Sequence, residues 1–558
     1  MAVDPFKLAV IHSSLVAIAR EMKVMTMRTA YTQLWKEQGD LSCCLMDAEG
    51  EILAQDPTGF PIHVTTMPYQ LKGMIEAVGR ETLRPGVVLM TNDPFIGGTH
   101  LPDVLIARPL FLEGELYGYA CNRGHWADIG GMGPGSYSPS TPEIFQEGQM
   151  IPPVRLFVDD RINEDVLNLV VSNVRNRAIA LGDMRAQYAS CFTAERRVRA
   201  LIARHGLDTL REAMGEILAR SEALTRARLK TFPDGTYHAR DRLDGDGLKP
   251  DPVWIDVQVT IRDSEVTVDL SGCSEQSSGG MNCSRSSAIS AVQYAIKSIT
   301  DPENPPNAGS YRPINVITRP GTVVDAQHPA AIVGFGDVTY RVLDATWAAI
   351  AQAVPERAIA TGSGSTGTVV LGGRQERAGR RQYFTTLELS SGAYGARASR
   401  DGMNAIRYGP GNAGHVPIEA DEMENPLLFE KEEILPDTGG AGKFRGGNGF
   451  CRVIRVLADR ASMCICADRH ESRPPGLFGG QPGTSARYVM NYGGPDEAVL
   501  SSKTGYLPLR EGSVVWLQSA GGGGYGDPRE RSRDKVLADL KNGYITRETA
   551  ERVYGQKP

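Results

Sequence analysis

The sequence predicts a mixed α/β protein of several domains, with an N-terminal α/β region, a central helical segment and a β-rich C-terminal half. Its 558 residues are enough for about three or four domains at roughly 100–200 residues each. Apolar residues recur at helical spacing over residues 5–30 and again at 162–230, and alternation of apolar and polar residues begins at about residue 253. Glycine contributes 62 residues in short clusters, which indicate many tight turns.

The first predicted element is an amphipathic helix over residues 5–30. Asp4 and Pro5 form an N-cap signal, and the apolar residues that follow keep the helical period. Residues 41–54 predict a β-hairpin that turns at 47–50. Further elements of this part are a helix near 67–80 and strands near 87–92, 104–111 and 116–122.

Changes in pattern divide the rest of the chain. A helix-rich stretch ends at the turn signal Pro233-Asp-Gly, and short strands between Gly, Pro and Asn turns follow, together with helices near 285–300 and 339–353. The chain closes with two short helices. The predicted regions are residues 1–160, 161–235, 236–528 and 529–558.

Composition excludes several classes of protein. The 66 acidic and 60 basic side chains give a formal net charge of −6, and no clustered excess of Lys and Arg points to nucleic-acid binding. The nine cysteines include no C-x-x-C pair, so neither a disulfide framework nor a zinc ribbon is predicted. The N-terminus lacks a signal-peptide pattern, and no run of eighteen apolar residues occurs. We therefore expect a cytoplasmic protein.

Two H-x-x-D units form the clearest candidate site. His100 and Asp103 follow a predicted strand in a glycine-containing loop, and His125 and Asp128 follow another. Imidazole nitrogen and carboxylate oxygen suit a borderline divalent ion such as Zn²⁺, Mn²⁺ or Fe²⁺. Asp40, just before the hairpin, offers another oxygen ligand. The alternative is structural, with the histidines capping strands and the aspartates fixing turns.

Other polar residues fit structural roles at least as well. His63 fits a satisfied buried histidine. Asp183 and Gln187 stand four apart on a predicted helix, where they either face the site or bond to another helix. The run Asp468-Arg-His470 follows an alternating strand and suits either a substrate contact or an interface.

The chain lacks a recognisable nucleotide-binding motif. Lys443 follows a glycine but precedes Phe444 instead of Ser or Thr, so there is no P-loop. The G-x-G-x-x-G patterns at 362–367 and 521–526 lack a complete dinucleotide-binding unit around them. If ATP is used, another chain is expected to bind it.

Seven motifs stand in order along nearly the whole chain: Asn92-Asp-Pro-Phe-Ile-Gly-Gly-Thr-His-Leu-Pro-Asp103, Arg123-Gly-His-Trp-Ala-Asp-Ile-Gly-Gly131, Gly182-Asp-Met-Arg-Ala-Gln187, Asn307-Ala-Gly-Ser-Tyr-Arg-Pro313, Gly439-Gly-Ala-Gly-Lys-Phe-Arg-Gly-Gly-Asn-Gly449, Asp468-Arg-His470 and Gly521-Gly-Gly-Gly-Tyr-Gly-Asp-Pro528. Together they resemble the hydantoinase B/oxoprolinase family. The resemblance implies a metal held by Asp40, His100, Asp103 and His125. Asp128 lies outside this set of ligands. It is expected either to contact the ligands or to accept a proton during the reaction.

The resemblance also implies a function. The expected protein is the B subunit of an ATP-dependent cyclic amide hydrolase, in a hetero-oligomer with a hydantoinase A-type subunit. That partner uses ATP to phosphorylate the amide oxygen of a hydantoin, N-methylhydantoin or lactam, and the metal assists attack of water. The alternatives are a subunit of an acetone- or acetophenone-type carboxylase, a 5-oxoprolinase-type subunit, and a non-catalytic scaffold that completes its partner's site.

Overall fold

The first 230 residues or so form helices and antiparallel strands, because their apolar residues follow both periods. The structure, a computed structural model, describes residues 3–377, 379–389, 392–409 and 411–557. The helices of this part are α1 (Pro5–Thr29), α2 (Gln33–Lys36), α3 (Pro61–Val78), α4 (Glu164–Ser172), α5 (Arg177–His205) and α6 (Leu207–Leu229). The strands are β1 (Leu41–Asp47), β2 (Ile52–Gln55), β3 (Val88–Thr91), β4 (Asp103–Leu112), β5 (Glu115–His125), β6 (Val154–Val158) and β7 (Arg161–Ile162).

These seven strands form one antiparallel sheet in the order β2-β1-β5-β4-β3-β6-β7. Helices α1 and α5 pack on one face, and α3 packs on the other. Side chains of β1 alternate between the faces, so Cys43 and Leu45 join the cluster beneath α1, whereas Cys44 and Met46 pack beneath α3. A strand buried on both faces has a nearly continuous apolar sequence, as β1 does.

The second half is richer in strands, as predicted. Its helices are α7 (Arg285–Thr300), α8 (Ala308–Tyr311), α9 (Phe335–Ala351), α10 (Ile418–Glu424), α11 (Arg533–Lys541) and α12 (Arg547–Arg552). Its strands are β8 (Gly235–Leu243), β9 (Val253–Arg262), β10 (Glu265–Asp269), β11 (Ile314–Ile317), β12 (Thr368–Arg377), β13 (Arg380–Leu389), β14 (Leu427–Ile434), β15 (Phe450–Val456), β16 (Arg460–Cys466), β17 (Arg487–Met490), β18 (Ala498–Leu500), β19 (Lys503–Arg510) and β20 (Val514–Gln518). They form three sheets among the described residues, in the orders β11-β10-β9-β8, β13-β12-β16-β19 and β14-β15-β20-β17-β18.

The mixed α/β class is confirmed, and most predicted elements occur where expected. The helix predicted near 67–80 instead begins at Pro61. The β-branched run after His63 concealed its first two turns, and the proline at the first helical position marks its true start. The helix predicted near 339–353 begins at Phe335, where flanking glycines weakened the helical signal.

One cluster of buried apolar side chains extends from Leu8 in α1 to Cys466 in β16. It contains residues from the predicted regions 1–160, 161–235 and 236–528, which therefore pack against one another. The boundaries between these regions stay predictions, and the outermost ones, at residues 1 and 558, lie outside the described residues. The described helices include none with the length and apolarity needed to span a bilayer.

Candidate metal centre

The register of the first sheet brings the predicted ligands to one end of it. β5 ends at His125, which is paired with Asp103 at the start of β4. β1 begins at Leu41 opposite Gly124, so the preceding Asp40 stands beside His125. The backbone N–H of His125 donates to the carbonyl of Asp40 at 3.2 Å. Strand pairing therefore places three of the predicted ligands together before any side chain is considered.

The ligand atoms of His100, Asp103 and His125 form a small triangle. The Nε2 atom of His100 lies 3.1 Å from Nδ1 of His125, and each nitrogen lies 3.3 Å from Oδ1 of Asp103. An ion bound at about 2.0–2.2 Å separates neighbouring ligand atoms by about 3–3.5 Å. Oδ1 of Asp103 is buried without a hydrogen-bond partner. The three residues therefore fit a divalent ion. One ligand atom from each lies within 4.8 Å of the other two, and no other group of three or more His, Cys, Asp and Glu side chains among the described residues is as close together.

Asp40 and His63 border this triangle. Oδ1 of Asp40 is also buried without a hydrogen-bond partner, and it lies 3.9 Å from Nε2 of His63. The same nitrogen lies 3.2 Å from Oδ2 of Asp103. Sequence reasoning favours a structural role for His63, because no spacing links it to the H-x-x-D units. Only the packing of α3 on the sheet shows that it contacts both carboxylates.

The electrostatics of the centre favour ligand-competent protonation states. Burial lowers the pKa of His100, which keeps its imidazole neutral at neutral pH. Burial acts to raise the pKa of Asp103, but His63 and His100 outweigh it and hold that pKa well below its usual value. A neutral imidazole and an ionised carboxylate are the forms that bind a metal.

Neighbouring side chains hold the backbone of the centre. Trp35 Nε1 donates to the carbonyl of His125 at 2.7 Å. Asn92 donates to the carbonyl of Leu101 at 2.7 Å and accepts from the N–H of Ile151 at 2.6 Å. These hydrogen bonds hold the backbone at His125 and in the loop before Asp103, and they leave the ligand atoms free.

Asp183 and Gln187, both on α5, contact backbone instead of the ligand atoms. Asp183 accepts from the N–H of Tyr31 at 2.6 Å, which ties α5 to the segment after α1. Gln187 donates to the carbonyl of Val104 at 3.0 Å and accepts from Trp126 Nε1 at 3.2 Å. Gln187 therefore holds the strands that carry Asp103 and His125, whereas Asp183 holds the segment between α1 and α2.

Asp128 stands apart from the triangle. Its Oδ2 pairs with Arg175 at 2.7 Å, and its Oδ1 accepts from the N–H groups of Gly130 and Arg175, each at 3.0 Å. Both oxygens are thus engaged in shaping the glycine loop. A proton-acceptor role for Asp128 stays a prediction, and these contacts favour a positioning role.

The run at 468–470 lies in a buried ion network and not at the centre. Asp468 pairs with Arg341 on α9 at 3.0 Å and with Lys503 at 3.2 Å. Arg469 pairs with Asp241. These contacts join α9, β8 and β19 to the segment that follows β16.

Two cavities border the triangle. The smaller one, of about 40 Å³, is lined by Asp40, His63, His100 and His125, and also by Phe335 and Arg407 from the second half. The ring of Phe335 lies 4.5 Å from that of His100. The centre is therefore enclosed by both halves of the chain.

The larger cavity, of about 550 Å³, also reaches His125, and its size falls in the range of small-molecule sites. Gln38, which is 5% exposed, lines this cavity. Its Nε2 donates to the carbonyl of Leu387 at 2.8 Å, and its Oε1 is buried without a hydrogen-bond partner. An unpartnered side-chain oxygen thus lies in the wall of the cavity among the described residues.

Comparison with known proteins bears on the identity of this site. The model of the hydantoinase B/oxoprolinase family matches residues 4–528. The B subunit of a putative D-/L-hydantoinase from Pseudomonas sp. strain NS671 is 31% identical, over 99% of this chain and 95% of that protein. The beta subunit of a caprolactamase from Pseudomonas jessenii is 32% identical, over 99% of this chain and 96% of that protein.

Two solved structures share the fold. The crystal structure of the ATP-dependent caprolactamase from Pseudomonas jessenii superposes with a TM-score of 0.92, at 31% identity over 100% of this chain and 97% of that chain. A nucleotide-free acetone carboxylase structure superposes with a TM-score of 0.91, at 23% identity over 99% of this chain and 79% of that chain. At that lower identity, the second likeness concerns the fold alone.

Proposed function

This chain belongs to the hydantoinase B/oxoprolinase family, and from that premise we propose that it is the B subunit of an ATP-dependent enzyme that opens a cyclic amide. The substrate class is a hydantoin, an N-methylhydantoin or a lactam. The observation that carries the proposal is the buried triangle of His100, Asp103 and His125. Its setting in a chain that matches hydantoinase and caprolactamase subunits from end to end supports the same reaction.

We assign Asp40, His100, Asp103 and His125 as ligands of a divalent ion, Zn²⁺, Mn²⁺ or Fe²⁺. Their nitrogen and oxygen donors suit all three ions. Such an ion would supply Lewis acidity and lower the pKa of water at the site. His63 contacts both carboxylates and holds their orientation.

The chemistry requires activation because an amide carbonyl is a poor electrophile toward neutral water. An A-type partner transfers the γ-phosphoryl group of ATP to the amide oxygen and releases ADP. Water then adds to the imidate carbon, the ring C–N bond breaks, and the nitrogen leaves with a proton, as an amine from a lactam or as a ureido group from a hydantoin. The resulting acyl phosphate is hydrolysed by a second water to the carboxylate and inorganic phosphate. The buried centre would carry out the steps after phosphorylation.

The free acceptor of Gln38 favours an amide over a ketone as substrate. Its Oε1 faces no donor among the described residues, and its orientation is set by the bond from Nε2 to Leu387. Once water has added to the imidate carbon, the ring nitrogen carries a hydrogen that would satisfy this oxygen, whereas acetone has no nitrogen donor to offer. This contact supports ring opening over the carboxylase alternative.

The test is co-expression of the chain with an A-type partner, followed by assay of ring opening with ATP and a panel of hydantoins, lactams and ketones. We expect ring-opened product without a bicarbonate requirement, together with a bound divalent metal by elemental analysis. His100→Ala should lose both metal and turnover, because one corner of the triangle is removed. His238→Ala is the matched control, since His238 is half exposed and pairs with Asp256 away from the centre.

Four outcomes would contradict the proposal. Full metal content and full turnover in His100→Ala would contradict the assignment of His100 as a metal ligand. Dependence of product formation on bicarbonate would indicate the carboxylase alternative. Absence of metal from the active complex would indicate a scaffold, and ATP-dependent turnover by the isolated chain would overturn the division of work between the two chains.

A further inference from the structure

We propose that Arg407 forms an oxyanion site that binds the phosphoryl group of the activated amide beside the metal centre. The site is the small cavity that Arg407 shares with His63, His100 and His125. The identity of the anion rests on the proposed function, since that reaction brings a phosphoryl group to this cavity. The presence of an anion site rests on the geometry of Arg407 alone.

Arg407, which is partly buried, differs from the fully buried arginines in having neither a paired carboxylate nor a set of acceptors among the described residues. Its Nε and Nη1 atoms are both buried without a hydrogen-bond partner. By contrast, Arg341 pairs with Asp468 and Arg452 pairs with Glu388. Leaving two buried guanidinium nitrogens without an acceptor is costly, so an arginine in this state indicates an anion that is bound during function.

The contacts of Arg407 place its charge at the metal centre. Its Cζ lies 5.6 Å from the ring centroid of Phe60, and that ring stacks on His63 at 4.9 Å. Its polar neighbour is Tyr340, whose pKa burial raises to about 12. The tyrosine is therefore neutral at neutral pH and does not supply a negative charge to the guanidinium.

Helix α9 adds positive potential on the same side. Its N-terminal residues Gly334, Phe335 and Gly336 line the cavity, and the first turn of a helix of 17 residues carries the positive end of its dipole. The one carboxylate in this turn, Asp337, accepts from the N–H of Thr366 at 2.9 Å. It does not pair with Arg407 and leaves the guanidinium available.

The size and the donors of the site suit a phosphoryl group. The cavity of about 40 Å³ has room for about three water-sized groups, at roughly 10–15 Å³ each. A phosphoryl group presents three peripheral oxygens, and a guanidinium fork donates to two of them at once. The same arrangement holds the phosphoryl group, which leaves when the acyl phosphate is hydrolysed, next to the carbon that the second water attacks.

The test measures binding of inorganic phosphate to the metal-loaded full chain by titration calorimetry, without partner or substrate. We expect Arg407→Gln to weaken phosphate binding by roughly tenfold or more, since bonds from a charged donor are lost. Metal content should stay that of the wild type. Arg400→Gln is the matched control, because Arg400 is exposed in the same loop, and it should bind phosphate normally.

Arg407→Lys guards against a folding defect, because it keeps the charge and loses the fork. We expect its affinity to lie between those of the wild type and Arg407→Gln. Unchanged phosphate affinity in Arg407→Gln, or no phosphate binding by the wild type, would overturn the proposal, and acetate binding as tight as phosphate would overturn the phosphoryl assignment. Phosphate binding through Arg407 without ring opening by the complex would instead refute only the proposed function.

Discussion

His63, Asp40 and Asp103 form a buried group in which several polar atoms have no hydrogen-bond partner: His63 Nδ1, Asp40 Oδ1 and Asp103 Oδ1. Such atoms destabilise a folded chain unless a ligand satisfies them. Their concentration at one end of a sheet therefore indicates a binding function. The H-x-x-D spacing predicts His100 and Asp103, but nothing near His63 in the sequence reveals its contact with them.

A second unusual carboxyl group, that of Glu147, lies outside the centre and allows a test of pH dependence. Its Oε1 accepts from the N–H groups of Ile332 and Val333 at 2.7 and 2.8 Å, and Oε2 has no partner. Burial raises the pKa of Glu147 to about 8 from 4.5. The folded chain therefore retains a proton that the unfolded chain releases, and stability falls as pH rises from about 5 to 8.

Glu147→Gln keeps the acceptor oxygen and removes the titration. We expect the variant to match the wild type in melting temperature near pH 5 and to exceed it near pH 8, because only the wild type must then either ionise a buried group or keep it protonated. Glu143→Gln, at an exposed neighbouring position, should follow the wild type at both pH values. An equal difference at both pH values for Glu147→Gln would contradict the assignment.

The loop between β3 and β4 is held by helices on either side of it. Gly97 has a φ of +114° and packs against α3 so closely that an added Cβ would lie 2.6 Å from the backbone N of Gln70. On the other side, Ser286 at the start of α7 donates to the carbonyl of Gly97 at 3.0 Å. Because His100 follows three residues later, this packing sets its position. The sequence predicts a permissive loop here, and the reason for the glycine lies in the close approach of α3.

Gly97→Ala should lose metal and stability together. The added methyl group meets backbone that cannot move aside. We therefore expect Gly97→Ala to lower the free energy of unfolding by about 1–3 kcal/mol more than the cost of placing alanine at a positive φ. Gly114→Ala is the matched control, because Gly114 has a φ of +87° but no atom within 4 Å of the added Cβ. Chemical denaturation and elemental analysis of both variants measure the difference, and normal metal content in Gly97→Ala would show that the loop tolerates the shift.

Helix α9 connects the centre with the C-terminal sheets. Nearly all of its residues are buried; Phe335 at its start contacts His100, and Arg341 in its middle pairs with Asp468. Lys503 completes the charge balance around Asp468 at 3.2 Å. The candidate metal centre and the β-rich half therefore form one packed unit instead of independent domains.

Asp468→Asn should destabilise the whole chain by about 3–5 kcal/mol, because it leaves Arg341 and Lys503 buried with less counter-charge. The free energy of unfolding from chemical denaturation measures this. Glu115→Gln is the control, since the pair between Glu115 and Arg211 is exposed and such pairs contribute little. A similar small effect in both variants would show that the buried network does not hold the parts of the second half together.

The sequence by itself determined the mixed α/β class, most of the helices and strands, the family, and the residues of the H-x-x-D units. These follow from periodicity and short motifs, in which the informative residues are near neighbours along the chain. Asp40 entered the predicted site as a carboxylate just before the first hairpin, the family resemblance also implies it, and strand pairing with β5 explains its place.

Only the tertiary structure decided that His63 and Arg407 join the centre, that Gln38 lines the adjoining cavity, and that Asp128 and Asp468 are engaged with arginines. The physical reason is that these contacts depend on how α3, α9 and the loop near residue 407 pack on the first sheet. Residues that are far apart in sequence share no periodic signal, and their charges interact only once that packing brings them within a few ångströms.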